Sequence, residues 1–319
     1  MNSAPTGSLL AIDAGQSSVK VRHLVDGNAA DWTAPGIRTD RPLLPQLAEV
    51  LAEATRRGCT ATAVGIGASG LADESQETSW LLRVAAQLGA RSLSIAHDSI
   101  TAFLGALGDE RGAAVAVGTG VVTLAVGRTD VIRVDGWGHL LGDAGSGFWI
   151  GRAALDAVLR AHDGRGPATA LAEAVYAEFP VLEDAYLQLQ ADPERVQRIA
   201  AYARPVAEAA ARGDAVAIRI SREAAGELAH SVVSGLARVG EVAPDGRATD
   251  DAGVRVCAVG GVLRSPVLAE AFTEAVRARV PAAQVRIGTA DPLDGAALLP
   301  FVGASSPLRR RVVRIEDAP

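Results

Sequence analysis

Apolar and polar positions along this chain fall into one pattern that is written twice. The first copy runs Leu9-Leu10-Ala11-Ile12, then Asp13-Ala14-Gly15-Gln16-Ser17-Ser18, then Val19-Lys20. The second runs Ala114-Val115-Ala116-Val117, then Gly118-Thr119-Gly120, then a β-rich stretch over 121–126, and it begins 105 residues after the first (114 against 9). Each copy reads as strand, tight glycine turn, strand. A third strand is predicted at 28–32, and Pro35 and Pro42 punctuate a link to a helix ending near Gly58. A strand at 62–67 closed by Gly67-Ala68-Ser69-Gly70, a helix at 76–88, a strand at 91–96 and a helix from His97-Asp98-Ser99 to Leu107 complete the first half. The second half repeats this plan with a hairpin and third strand over 113–134, a strand at 254–259, a helix at 266–279, a strand at 285–287 and a last helix from near Asp294. Between them lies an Ala-, Leu- and Glu-rich helical region, 148–239, broken near 164–167, 179–180 and Gly213. Its Ala-rich part at 193–211 reads as packing helices without chemistry. The tail beyond Arg311 is expected to be an extra strand or disordered. A three-stranded meander followed by alternating helices and strands predicts an α/β plan, a mixed sheet covered by helices, in each half.

At 319 residues the chain is too long for one typical core, so two domains are expected, 1–111 and 112–319, the second with a helical insertion at about 148–250. The last helix is a candidate to pack back on the first domain. Apolar residues make up 49%, enough for full cores. A net charge of −6 without a basic cluster argues against nucleic acid or an anionic membrane as the main partner. Cys59 and Cys257 are the only cysteines, form no CxxC, and suggest a reducing compartment. Residues 1–8 lack a signal-peptide pattern, and the longest apolar stretch, 113–127, is interrupted by Gly118, Thr119, Gly120 and Thr123. A soluble, cytoplasmic protein is expected.

Glycine in the two turns lets backbone approach a ligand and turns N–H groups outward, which suits a phosphate. Two unrelated hairpins would give the same pattern. Asp13 ends the first strand, where a carboxylate can hold hydrated Mg²⁺ against phosphates. Lys20 is the one lysine among 31 basic residues; it is either an ammonium wanted beside that turn or a chance survivor. Asp98 lies between an apolar strand and a helix, at the strand end where α/β proteins place ligands. It can accept the proton of an attacking hydroxyl or serve as an ordinary N-cap. The stretch from Asp135 through Gly136, Trp137, Gly138, His139, Gly142, Asp143, Gly145 and Ser146 to Gly151 holds six glycines and two of the four tryptophans. So much backbone freedom is costly to order, and with aromatics and Asp143 it suits a hydroxyl-bearing, flat-faced ligand such as a sugar. Gly260-Gly261-Val262, between a strand and a helix, is a place where a flat group could lie on bare backbone, or a packing feature.

With these pieces in order, the chain resembles the superfamily of acetate kinase, sugar kinases, heat-shock chaperone ATPases and actin, and within it the branch of N-acetylglucosamine kinases and BadF/BadG/BcrA/BcrD ATPases. Asp13-Ala14-Gly15-Gln16-Ser17-Ser18 stands at the first phosphate motif, Gly118-Thr119-Gly120 at the second, Gly260-Gly261-Val262 at the adenosine motif, and the 136–146 loop is similar to the sugar-side loop. The resemblance implies two ribonuclease-H-like domains, each a mixed five-stranded sheet with flanking helices, around a nucleotide cleft. It implies ATP and Mg²⁺, an amino-sugar substrate phosphorylated at O6, and a homodimer. By the same resemblance Asp98 is the general base. Asp13 then holds Mg²⁺ through water, with Gly15, Gln16, Ser17, Ser18 and Lys20 at the phosphates, and Gly136, Trp137, Gly138, Asp143 and Ser146 face the sugar. Two departures stand out: Gln16-Ser17-Ser18 replaces a Gly-Gly-Thr run, and Ala144 replaces an acidic residue. A BadF-type ATPase needs cluster-ligating cysteines that this chain lacks. A sugar-sensing regulator without turnover is the other alternative, and retention of both Asp13 and Asp98 speaks against it.

Overall fold

A computed structural model describes residues 7–16, 18–38, 40–71, 79–250, 253–288 and 291–316. The first half contains β1 (Ser8–Ala14), β2 (Ser18–Val25), β3 (Asn28–Pro35), α1 (Leu43–Arg56), β4 (Ala63–Ala68), α2 (Ser79–Ala85), β5 (Ser92–His97) and α3 (Asp98–Leu107). The second opens with β6 (Gly112–Val117), β7 (Val121–Val126) and β8 (Val131–Val134). Six helices follow: α4 (Gly147–His162), α5 (Leu171–Glu178), α6 (Ala185–Ala191), α7 (Arg195–Ala201), α8 (Ala203–Ala211) and α9 (Ala215–Arg238). The chain closes with β9 (Val254–Val259), α10 (Pro266–Arg279), β10 (Ala283–Gly288), α11 (Pro292–Leu298) and β11 (Val313–Glu316). Residues 76–78 of the expected second helix lie outside the described residues. The described residues contain no helix long and apolar enough to cross a membrane.

The chain divides into two units, one of Met1–Glu110 with Ala290–Pro319 and one of Arg111–Thr289. In the first, strand order is β11-β5-β4-β1-β2-β3, with β1, β4 and β5 parallel and β1–β2–β3 an antiparallel meander. β1 is central and buried on both faces: Leu10, Ile12 and Ala14 enter the main core, while Ala11 meets Leu293 and Ala296 of α11. Leu44, Leu47, Val50, Leu51 and Ala54 bury one stripe of α1. The sheet has six strands instead of five because Val313 and Ile315 alternate with Arg314 and Glu316, and the apolar pair packs on the core as β11 joins β5.

α11 lies almost backbone-to-backbone on its neighbours. A methyl group added at Gly295 would stand 1.7 Å from the Thr101 carbonyl oxygen of α3, and one at Gly65 would stand 1.9 Å from that of Ala296.

The second unit repeats the plan in the order β10-β9-β6-β7-β8, with β6, β9 and β10 parallel. Here the connection from β8 to β9 carries the six inserted helices. α9 buries Ile220, Ala224, Leu228, Val232 and Leu236 and packs against β6–β8 and α10. Arg111 ties the base of this unit together through Glu241 (3.1 Å) and Asp250 (2.5 Å). In both units the parallel strands end at the same edge, so the loops after β1, β4 and β5, and after β6 and β9, are where ligand groups can be gathered.

Candidate active site

Two carboxylates mark that edge in the first unit. Asp13 is the sixth residue of β1 and pairs in register with Lys20 of β2. Burial pushes its carboxyl up to about 6; Lys20 opposes the rise, and Asp98 and Asp291 add to it. Asp98 is the first residue of α3. The N-cap position is taken by its neighbour His97, whose Nδ1 lies 3.2 Å from the Ser99 N, so Asp98 is not the N-cap. Its oxygens are held separately: Oδ1 lies 2.8 Å from His97 Nδ1, and Oδ2 accepts the Ser69 hydroxyl at 2.5 Å. Burial raises the Asp98 pKa, but the His97 and Ser69 bonds outweigh it and leave the carboxyl below its ordinary value. Ser69 also donates its N–H to the Ala14 carbonyl, joining the ends of β1, β4 and β5. At the turn, the Gly15 carbonyl accepts the Ile37 N–H (2.9 Å), Gln16 is exposed and Ser18 begins β2. Ser17 lies outside the described residues.

The second unit contains a cavity of about 850 Å³, within the range of small-molecule sites. Gly118, Thr119 and Gly147 form one part of its lining and Gly261, Val262 and Ser265 another. The third wall comes from α7 and α8: Gln197, Ala200, Ala203, Arg204, Ala207 and Ala211. The packing helices expected at 193–211 thus also line this cavity. An alanine stripe has the same spacing whether it faces a core or an open cavity. The glycine turn closes through Gly118 N–H to Gly120 O, and α4 donates Gly147 N–H to Gly118 O and Phe148 N–H to Thr119 O. The paired glycines differ. A Cβ at Gly260 (φ +119°) would sit 2.0 Å from the Val117 carbonyl oxygen, so that glycine serves packing, whereas Gly261 has open space before it.

The 135–146 loop is folded around two aspartates, Asp135 and Asp143, both in the left-handed region at φ 59°. Asp135 accepts the N–H groups of Asp143 (2.8 Å) and Ala144 (3.1 Å). Asp143 accepts the Gly138 N–H at 3.1 Å and is only 7% exposed. Burial raises its pKa, against the Gly138 bond. A Cβ at Gly120 would come within 2.6 Å of its Oδ2, so this carboxylate is seated against the second glycine turn. Gly136 and Gly138 also have positive φ, and Trp137 is 63% exposed with the Arg133 guanidinium 5.1 Å over its ring. His139 packs edge-on against Phe148. Ser146 is fully buried and caps α4 by accepting the Trp149 N–H.

The structure thus brings Asp13, Lys20 and Asp98 together in one unit, and Gly118, Thr119, Gly261 and Val262 around one cavity in the other. Ser69, His97, Asp135, Asp291 and the α7–α8 wall were not singled out from sequence. Ser69 follows one parallel strand and His97 ends another, a signal that could have found them; Asp135 and Asp291 gave none beyond being turn or cap residues.

The duplicated meander-plus-crossover plan, with a glycine turn opening each half, defines the fold class shared with sugar kinases. A crystal structure of a candidate N-acetylglucosamine kinase from Chromobacterium violaceum matches with a TM-score of 0.65 and 25% identity, covering 92% of this chain and 99% of that one. The model of the BadF/BadG/BcrA/BcrD ATPase family matches residues 12–300, and the chain belongs to that family. An N-acetyl-D-glucosamine kinase of Dictyostelium discoideum is 28% identical over 265 residues, 81% of each chain. An N-acetylmuramic acid/N-acetylglucosamine kinase of Clostridium acetobutylicum is 34% identical over 178 residues, 54% of this chain and 57% of that one.

Proposed function

We propose that the protein is an ATP-dependent carbohydrate kinase that transfers the γ-phosphoryl group to a hydroxyl, O6, of an amino sugar, N-acetylglucosamine or glucosamine. The observation that carries this reading is the divergence of Asp13 and Asp98. Neighbouring carboxylates whose surroundings push their pKa values apart have different tasks. Asp98, held low, is ionised at neutral pH and offers acceptor lone pairs to a hydroxyl. Phosphoryl transfer has a loose transition state, so the acceptor is oriented first and gives up its proton late; a weakly basic carboxylate serves. The proton of the attacking hydroxyl passes to Asp98, and the leaving ADP oxygen is stabilised by charge.

Asp13 has the opposite character: a half-buried carboxylate with two acidic neighbours, whose raised pKa is relieved by a cation. That fits a magnesium ion held through water and completed by phosphate oxygens, since Mg²⁺ sites commonly use only one or two protein carboxylates. Such an ion would neutralise charge on the β- and γ-phosphates. Lys20 adds a second positive charge beside Asp13. In the other unit the 850 Å³ cavity suits the adenosine part of ATP, its alanine wall and Gly261-Val262 presenting flat apolar surface and the 118–120 turn facing phosphates. Asp143, with Gly136, Trp137 and Gly138, is assigned to the sugar. The names of the two relatives, both N-acetylglucosamine kinases, support the substrate class.

A panel of amino sugars with ATP and Mg²⁺, read as ADP release, tests the proposal. Sugar-stimulated release with N-acetylglucosamine or glucosamine is expected. Sugar-independent hydrolysis would favour an ATPase, and binding without turnover a sugar sensor.

A further inference from the structure

His97 ends β5 immediately before Asp98, and its Nδ1 has three polar neighbours. They are Asp98 Oδ1 at 2.8 Å, Ser99 Oγ at 2.9 Å and the Ser99 backbone N at 3.2 Å. One protonation form cannot satisfy all three. A bare Nδ1 accepts the Ser99 N–H and caps α3, but it then sets a lone pair against a carboxylate oxygen at 2.8 Å. A protonated Nδ1 donates to that oxygen, and the Ser99 N–H turns to the Asp98 carboxylate, which it also serves. The 2.8 Å separation is that of a charge-assisted hydrogen bond, whereas 3.2 Å is the upper end of the ordinary N–H range. The geometry therefore places a proton on Nδ1, and the ring then donates to Asp98 instead of accepting the Ser99 N–H.

Ser69, at the end of β4, donates to the other oxygen. Oδ1 of Asp98 thus faces the end of β5 and Oδ2 the end of β4, with the Ser99 N–H as a third donor to the carboxylate. Without the ring, nothing at Oδ1 opposes rotation of the carboxylate further onto the first turn, where the Ser99 N–H already serves it.

We propose that His97 is a positioning residue for Asp98: its Nδ1–H fixes the plane of the carboxylate so that a lone pair not taken by these donors is turned to the acceptor hydroxyl. This rests on the reading of Asp98 as the group that receives the hydroxyl proton. The His97 bond is also the largest of the influences that keep Asp98 ionised against burial. Asp13, the other carboxylate bearing on this centre, is the same in every variant below.

Asparagine and aspartate separate positioning from capping. Both are good N-caps, but only asparagine retains an N–H donor near the place of Nδ1. His97→Asn is expected to keep kcat close to the parent. His97→Asp and His97→Leu should lose about 10²-fold in kcat, the scale of a misplaced reacting group, with sugar KM little changed. His97→Asn and His97→Asp should melt alike. Parental turnover by His97→Asp, or His97→Asn as impaired as His97→Asp, overturns the proposal. A second measurement needs no turnover: carboxyl ¹³C NMR of Asp98 in the protein without sugar or nucleotide. Asp98 should titrate higher in His97→Leu than in the parent and return in His97→Asn; an unchanged titration in His97→Leu removes the donor and the proposal with it. If the parent phosphorylates no sugar, the kinase reading fails, and the NMR comparison still decides the contact.

Discussion

At the scale of single residues, the chemistry is set by what surrounds two otherwise similar aspartates. Asp98→Asn keeps the size of the side chain but cannot take up a proton; turnover should fall about 10²–10⁴-fold while sugar and nucleotide still bind, as checked by calorimetric titration alongside steady-state kinetics. Asp13 is expected to trade stability for function. Its folded-state pKa, about 6, lies above the ordinary 3.8, so the folded protein holds that proton more tightly than the unfolded chain. The associated stability is complete below pH 4 and is lost as pH rises through 6. Asp13→Asn removes this loss. The variant should be more stable than the parent at pH 7–8, by about 1–3 kcal/mol, and no more stable at pH 4, yet use Mg·ATP poorly. Melting curves across pH 4–8 check the sign: a gap that failed to open between pH 4 and pH 6 would mean that burial does not penalise the Asp13 charge.

At the scale of elements, a loop and a helix contact stand out. The 135–146 loop is held in shape by Asp135, which satisfies two backbone N–H groups and so fixes Asp143. Asp135→Ala leaves those donors without their partner at about 1–3 kcal/mol each. The expected result is a higher sugar KM with an unchanged ATP KM. Asp143→Ala should act on the same constant and lower kcat as well; parental kinetics in both variants would remove the loop from the sugar site. The α3–α11 contact leaves no room for a side chain at Gly295. Gly295→Ala places its methyl group 1.7 Å from the Thr101 carbonyl oxygen, and overpacking of this kind costs about 1–3 kcal/mol or more. A lowered melting temperature is the readout.

At the scale of the molecule, the two units differ in how the chain builds them. Arg111–Thr289 is one continuous stretch with its own core, whereas the first unit needs both ends of the chain. Fragment 111–289 should fold alone, and 1–110 should not, because it leaves Ala11 and the α11-facing side of β1 and β4 bare. Every residue lining the 850 Å³ cavity belongs to that fragment. It should therefore retain adenine-nucleotide binding, measured by calorimetry, while lacking Asp13 and Asp98 and hence turnover. A fragment that stayed unfolded would show that the second unit depends on the first.

The duplicated plan, the order of strands and helices and the positions of Asp13 and Asp98 were legible in the sequence because they depend on local periodicity and turn chemistry, and those act within a few residues. β9 and α10 begin and end where the apolar pattern puts them. What sequence could not show depends on contacts between residues far apart. Val313-Arg314-Ile315-Glu316 alternates like any strand, but only the open edge of β5 decides that it becomes a sixth one. The alanines of α7 and α8 have helical spacing in either setting, and only the space opposite them makes a cavity wall. The difference between Asp13 and Asp98 is invisible in two similar strand ends. It arises when folding buries one beside other carboxylates and brings His97 and Ser69, 28 residues apart in sequence (97 against 69), to the two oxygens of the other.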